Sequence, residues 1–443
     1  MSEPVYSLGG GRTDFKRNLQ REGRTLRDVV IEVGVAAIQG ARVAPGDIQA
    51  GVVGNFASGL FTRQLHLGAF LTEIDPELRG LPTFHVEAAC ASGGAAVLTA
   101  AKLIMGGVHD VVLVVGVEQQ KTMSPAQGAA VLGAAGDYLS ESAQFGDFVF
   151  PKLFGRIAHL YAERHELTEL DLARVAVKNR AHALLNPLAQ MRDAPLALRE
   201  ACAESEANPR IAPPLKISDC SPITDGAAAL VLCSGRFATR LGGQATVRLL
   251  GYGQTTDYLP LAKKEVPDFP IAAKAARQAY NMANLTPAEL HGAEVHDCFS
   301  ISEIVSYELL DFSERGKGAK LLESGATALP ALREELGAKR VPFRLPVNPG
   351  GGLIGDGHPV GATGVRQVLE AHRQLVGMAI TSPEKGWLQV NDRLCEMLGY
   401  SREEITRTTW AELTHPEDLE ADVVQFNRLL TGDINDYVLE KRF

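Results

Sequence analysis

Residues 86–94 (VEAACASGG) dictate one local geometry: a short extended segment that turns straight into a helix, with space left at the bend. Small side chains flank Cys90 on both sides, and Ala95–Met105 continues with apolar residues at helical spacing. The first amides of a helix lack intrahelical partners and its dipole favours negative charge, so a thiol at this bend is biased toward thiolate. A solitary cysteine is most simply a small buried hydrophobe. Two distant segments argue otherwise here. They are Val295-His296-Asp297-Cys298-Phe299 and the glycine-rich run GDGHPVGATG (Gly355–Gly364), which holds His358.

Strand-like and helical patterns alternate up to about residue 115, the mark of an α/β domain with a largely parallel sheet. Ile48–Asn55 and Val111–Val117 are short apolar runs suited to buried strands, and Arg27–Ala41 has helical spacing. From Glu118 to Ile217 prolines and glycines interrupt helical pieces such as Phe154–His165; long insertions of this kind tend to carry binding function. Asp225–Cys233 reads as a strand returning to the first sheet. A second round then offers Thr246–Tyr252 as a strand, Pro270–Ala283 as a helix, Ala293–Val295 as a short strand leading into His296, and the helix Ala362–Leu375. In each round a Gly- and Ala-rich turn precedes a long helix, with Cys90 at one mouth and His358 at the other. That points to two related halves facing each other. The expected divisions are 1–117 with 218–244, an inserted 118–217, a second half 245–376, and a tail 377–443.

Charge marks the tail as separate. Residues 377–443 carry seven Lys and Arg against thirteen Asp and Glu, most of the net −9 of the 443-residue chain. The acidic balance disfavours a nucleic-acid partner. Met1-Ser2-Glu3-Pro4 opens no secretory signal, and no apolar run reaches the ~18 residues of a membrane span. Six cysteines, none at metal spacing, fit free thiols in a reducing compartment, so a cytoplasmic protein without a metal is expected. Cys202, Cys220 and Cys233 match no motif and read as structural. Gly9-Gly10-Gly11-Arg12-Thr13 lacks both dinucleotide and P-loop spacing and reads as a tight turn.

The CASGG turn, HDCF and GDGHPVGATG, in this order, resemble the thiolase superfamily over about residues 4–375. HDCF, with Ala176-Val177-Lys178-Asn179-Arg180 and Asn186-Pro187, points to its sterol-carrier-protein-2-like branch. The resemblance implies a two-half α/β/α/β/α sandwich with an inserted loop domain. It implies acyl-CoA and CoA as substrates, no bound cofactor, a homodimer or dimer of dimers, and a place in lipid breakdown of the β-oxidation kind. The tail resembles the first part of a PAS domain, of α+β type, through GMAITSPEKGWLQVND (377–392) and WAELTHPEDL (410–419). His415-Pro416-Glu417-Asp418 within it reads as a helix start. The thiolase part is expected to lack its last two strands, and the PAS part, which reaches Phe443, its last few.

The resemblance assigns Cys90 as nucleophile and His358 as base and oxyanion donor. His296 takes the position of an asparagine that anchors a catalytic water. Many thiolases carry their acid/base cysteine in a Cys-x-Gly block on the penultimate strand. No such block follows Leu375, and Cys395 belongs to the PAS-like helix, so Cys298 becomes the acid/base candidate. Losing the backbone donor of that block typically costs about 10²–10³ in rate. The hairpin pattern of Met378–Thr381 and Trp387–Val390 offers a substitute for the missing strands. Two functions compete: CoA-dependent cleavage of a 3-oxoacyl-CoA or its reverse condensation, and a weak or inactive thiolase-like scaffold whose PAS segment binds a ligand or partner. A ketoacyl synthase shares the Cys-His logic but would show a second histidine block instead of HDCF.

Overall fold

The structure is a computed structural model that describes residues 2–242, 247–329, 332, 336, 345–376, 379–390, 394–395 and 398–434. The first part runs β1 (Val5–Arg12), α1 (Leu26–Ala41), β2 (Ala50–Gly54), α2 (Ser58–Phe61), β3 (Thr83–Val86), α3 (Ser92–Met105) and β4 (Val111–Glu118). An excursion follows through α4 (Pro125–Gly133), α5 (Tyr138–Phe145), α6 (Val149–Arg164), α7 (Glu169–Leu184), α8 (Leu198–Cys202), β5 (Arg210–Ala212) and β6 (Leu215–Lys216). The chain returns in β7 (Gly226–Ser234), α9 (Gly235–Arg240) and β8 (Val247–Leu249). It continues through α10 (Pro270–Ala283), α11 (Ser300–Leu309), α12 (Gly318–Glu323), α13 (Gly352–Asp356) and α14 (Val360–Leu375). No described helix is long and apolar enough to cross a membrane.

One six-stranded sheet, ordered β3-β2-β4-β7-β1-β8, organises the first part. β2 pairs in parallel with β3 and β4, whereas β7 runs antiparallel to β4 and β1. Strands β2, β4 and β7 are buried along their whole length, as continuous apolar runs covered on both faces must be. Leu113, Val115 and Val117 face α1, where Val29, Val33 and Ile38 meet them. Val112 and Val114 face the other way, onto Ala96, Ala100 and Ile104 of α3 and Ala362 and Val365 of α14. The helix after Cys90 and the helix after His358 therefore share one layer. α1 begins at a capping box: Thr25 Oγ1 accepts from the Asp28 amide and Asp28 accepts from the Thr25 amide.

The glycine run at residues 9–11 is not a turn. It lies in β1, where the register with β7 shifts between Ser7 and Gly10. A Cβ on Gly10 would overlap the Ala229 carbonyl, and one on Gly11 would stand 2.6 Å from the Ala36 Cβ. Glycine serves here to bring backbones and helix together rather than to bend the chain.

The second round is mostly helical. Its core joins Ile157, Tyr161, Leu172 and Val175 of the excursion to Ile301, Ile304 and Leu353. The strand expected at Thr246–Tyr252 shortens to β8 and adds to the first sheet beside β1. At Ala293–Val295 only a parallel bridge forms, between Ala293 and Val347. The Val295 amide donates to the Asn348 side chain at 2.8 Å instead of to a backbone carbonyl, so the ladder stops there.

Two units divide the chain, Met1–Ala371 and His372–Phe443. In the tail β9 (Ala379–Thr381) and β10 (Trp387–Val390) pair antiparallel with each other as a two-stranded sheet. Trp387, Val390, Ile405, Trp410 and Phe426 form its own apolar core. His415 caps the last described helix, Pro416–Thr431. Met378, at the start of the expected hairpin, and the final segment 435–443 lie outside the described residues.

Candidate active site

Cys90 occupies a single 3₁₀ turn, Ala89–Ala91, between β3 and α3. Ala89 is held at φ 50°, the left-handed region that L-residues enter only where surroundings enforce it. The enforcing contacts come from buried Ser92, whose hydroxyl accepts from the Ala88 amide at 2.9 Å and donates to the Ala89 carbonyl at 2.7 Å. The bend thus displays Cys90 two residues ahead of the regular helix.

His358 follows Gly357, whose φ of 118° suits glycine alone. Its amide donates to Thr224 Oγ1 at 2.9 Å, and its carbonyl accepts from Gln120 Nε2 at 2.7 Å. The Thr363 hydroxyl donates to the Pro359 carbonyl, so at 2.7 Å it accepts from His358 Nδ1. That network assigns the proton to Nδ1 and leaves Nε2 as the basic nitrogen. The His296 ring stands edge-on to the His358 ring, centroids 4.9 Å apart. Sγ of Cys90 and one ring nitrogen each of His296 and His358 lie within 4.8 Å of one another. These donors also suit a thiophilic cation, but no fourth protein ligand joins them among the described residues.

His296 Nε2 is buried and finds no protein hydrogen-bond partner among the described residues. Cys298, two residues further on, is buried, and its Sγ stands 3.8 Å from Ser302 Oγ. Burial keeps every one of these groups neutral. It lowers His358 well below the ordinary imidazole range and takes His296 down to about 4, with the Arg366 charge adding to both. It pushes Cys298 well up and Cys90 up to about 12, the Glu118 carboxylate adding to the latter. The thiolate bias expected from the helix start is therefore overturned in the resting site. Although neighbouring Ala88 and Ala91 are exposed and Cys90 is half-buried, desolvation around the thiol comes first. The Glu118 carboxylate adds to it, and only the Cys90 backbone amide opposes the shift.

Residues 5–204 match the family model "Thiolase, N-terminal domain", and residues 253–386 match "Thiolase C-terminal domain-like". An acetyl-CoA acetyltransferase of Methanothermobacter thermautotrophicus is 35% identical over 356 residues, 80% of this chain and 87% of that protein. The chain belongs to the thiolase family. Human sterol carrier protein 2 is 31% identical over 85% of this thiolase and 66% of its own length. Among solved structures, the Ltp2-ChsH2(DUF35) aldolase shares the fold at a TM-score of 0.67 and 23% identity, covering 84% of this chain and 90% of that one. Residues 388–443 match the PAS fold model.

Several residues that hold this thiolase's site escaped the sequence reading. Fully buried Glu118 ends β4 and accepts from the amides of Phe56 (2.9 Å), Ala57 (3.2 Å) and Gly361 (3.0 Å) and from Asn55 Nδ2 (3.0 Å). Burial still lifts it to about 7. Asp297, between the two candidate residues of HDCF, accepts from the amides of Leu353 and Ile354 and from Asn179 Nδ2. Asp356 receives both terminal nitrogens of Arg12 at 2.6 Å, and Arg366 joins it at 3.4 Å. Asp297 and Asp356 sat inside the motifs as a readable signal. Glu118 had none beyond being an acid at the end of an apolar run.

Proposed function

We propose that this protein is an acyltransferase that cleaves a 3-oxoacyl-CoA with CoA, or runs the reverse condensation of acetyl-CoA, through an acyl-Cys90 intermediate. The proximity of Cys90, His296 and His358 carries this reading. His358 Nε2 takes the Cys90 proton as the sulfur attacks the substrate's 3-oxo carbon. The C2–C3 bond then breaks, leaving acyl-Cys90 and the enolate of acetyl-CoA. Protonated His358, with a water anchored on unpartnered His296 Nε2, holds the enolate oxygen, and the Cys298 thiol protonates its carbon. In the second half-reaction the Cys298 thiolate takes the proton of incoming CoA, whose sulfur displaces the acyl group from Cys90.

Residues 118–217 serve as the lid over the pantetheine arm of CoA, a role supported by their length and by α6 and α7 joining the core that contains Cys298. Hydrogen exchange across them slows on adding CoA; unchanged exchange at saturation removes the assignment. A homodimer through β3 is supported by that strand lying at the sheet edge with Phe84 exposed. Intact mass after incubation with acetyl-CoA tests the chemistry: an acetyl adduct forms and vanishes in Cys90→Ala. An adduct that survives the substitution excludes Cys90.

One observation favours a slower enzyme, or an inactive scaffold with a PAS binding segment. No Cys-x-Gly block follows Leu375, so the oxyanion hole lacks a family donor. Loss of the enolate absorbance of acetoacetyl-CoA with CoA distinguishes activity from none. Replacing 376–443 with a thiolase-type C-terminal hairpin raises that rate if the donor is limiting.

A further inference from the structure

A cavity of about 280 Å³ lies between α6, α11 and the Leu259–Lys264 turn. That is near the low end for ligand sites, enough for part of an acyl-CoA rather than all of it. Phe150, Phe154 and Phe269 give it an aromatic wall. Phe154 stacks on Phe299 with centroids 4.4 Å apart, so the wall is anchored on the residue after Cys298. On the same side Ser302 lines the cavity, and its hydroxyl is the group 3.8 Å from Cys298 Sγ. The space therefore abuts the HDCF turn, where the scissile end of a substrate would sit.

Two charged residues also line it, and they differ in kind. Glu141 is buried and spent on structure: its carboxylate accepts from the Asp137 amide at 2.9 Å and the Leu261 amide at 2.8 Å. Lys264 is half-buried, and its ammonium has no carboxylate partner among the described residues. An apolar chamber with one uncommitted cation at its wall recognises an apolar chain that ends in an anion.

We propose that this cavity selects the acyl group, taking 3-oxoacyl-CoA substrates whose distal end carries a carboxylate, with Lys264 as the partner of that carboxylate. The proposal rests on the thiolase reading above and names its substrate class. Calorimetric titration of the full chain with adipyl-CoA and hexanoyl-CoA, equal in chain length and lacking the reactive 3-oxo group, tests it. Adipyl-CoA binds about fivefold more tightly, the scale of a partly exposed ion pair. Lys264→Met brings the two affinities together, and Lys264→Arg keeps them apart. Equal affinities in the native protein, binding of neither thioester, or an unaltered ratio in Lys264→Met overturns the proposal. Cleavage of acetoacetyl-CoA, measured in parallel, separates the two readings. Cleavage with equal affinities removes the substrate class alone, while a fivefold preference without cleavage removes the reaction and keeps the pocket.

Discussion

Gly364 of α14 and Gly94 of α3 meet backbone to backbone: a Cβ on Gly364 would overlap the Gly94 amide nitrogen. The contact is mutual, since a Cβ on Gly93 would stand 2.8 Å from the Gly361 carbonyl oxygen and 2.9 Å from the Gly364 nitrogen. The two helices that carry Cys90 and His358 at their mouths thus stand closer than a side chain at Gly93 or Gly364 would permit.

Gly364→Ala forces those helices apart. Overpacking of this kind costs about 1–3 kcal/mol, and kcat falls because the thiol and the imidazole separate. Thermal melting read beside acetoacetyl-CoA cleavage checks both. A variant with native Tm and native rate shows that the contact is slack.

Alkylation of Cys90 by iodoacetamide should be slow at pH 7 and climb about tenfold per pH unit through pH 10, because the thiol is raised to about 12. A thiolate already formed at rest would give a flat profile. The sign for stability follows. Folding favours the protonated thiol, so its contribution is whole below the unfolded value of 9.0 and is lost as pH rises from there toward 12. Wild type loses more stability in urea between pH 8 and pH 10 than Cys90→Ala does. Equal losses contradict the shift.

Cys298→Ala should lower thiolysis by about 10²-fold or more, the usual worth of a positioned acid/base. Acetylation of Cys90 by acetyl-CoA persists in this variant, because Cys90 and His358 perform that step. Unaltered thiolysis would sink the assignment of Cys298.

Arg12→Met strands the Asp356 carboxylate, which keeps only the longer contact to Arg366. Breaking a buried pair by removing one partner costs about 3–5 kcal/mol. The urea midpoint falls accordingly, and Arg12→Met with Asp356→Leu recovers part of the loss. No recovery in the double variant would show that the arginine acts through packing on the Phe15 ring, 3.9 Å away.

Where a residue's role was set by its neighbours in sequence, the chain was legible. The apolar runs of β2, β4 and β7 have one reading, and the small-residue turns before α3 and α14 placed Cys90 and His358 at the mouths of two neighbouring helices. Legibility failed where a residue answers to something distant. Gly10 resembles a turn residue, yet its missing side chain makes way for Ala229, more than two hundred positions later. Cys90 carries the local signature of a thiolate, while desolvation of its thiol and, after it, the Glu118 carboxylate push the other way. Ala293–Val295 has strand composition, but the side chain of Asn348, more than fifty positions later, takes the Val295 amide and stops the ladder after one bridge.

Arg12 and Asp356 are 344 residues apart in the chain. At roughly 5–20 residues per second, the arginine emerges from the ribosome on the order of tens of seconds before its carboxylate is made. Throughout that interval the last residue of β1 is a cation whose buried carboxylate does not yet exist. Synthesis of the amino-terminal half therefore does not complete it. The buried ion pair of a side chain made near the beginning can close only after residue 356 has been made.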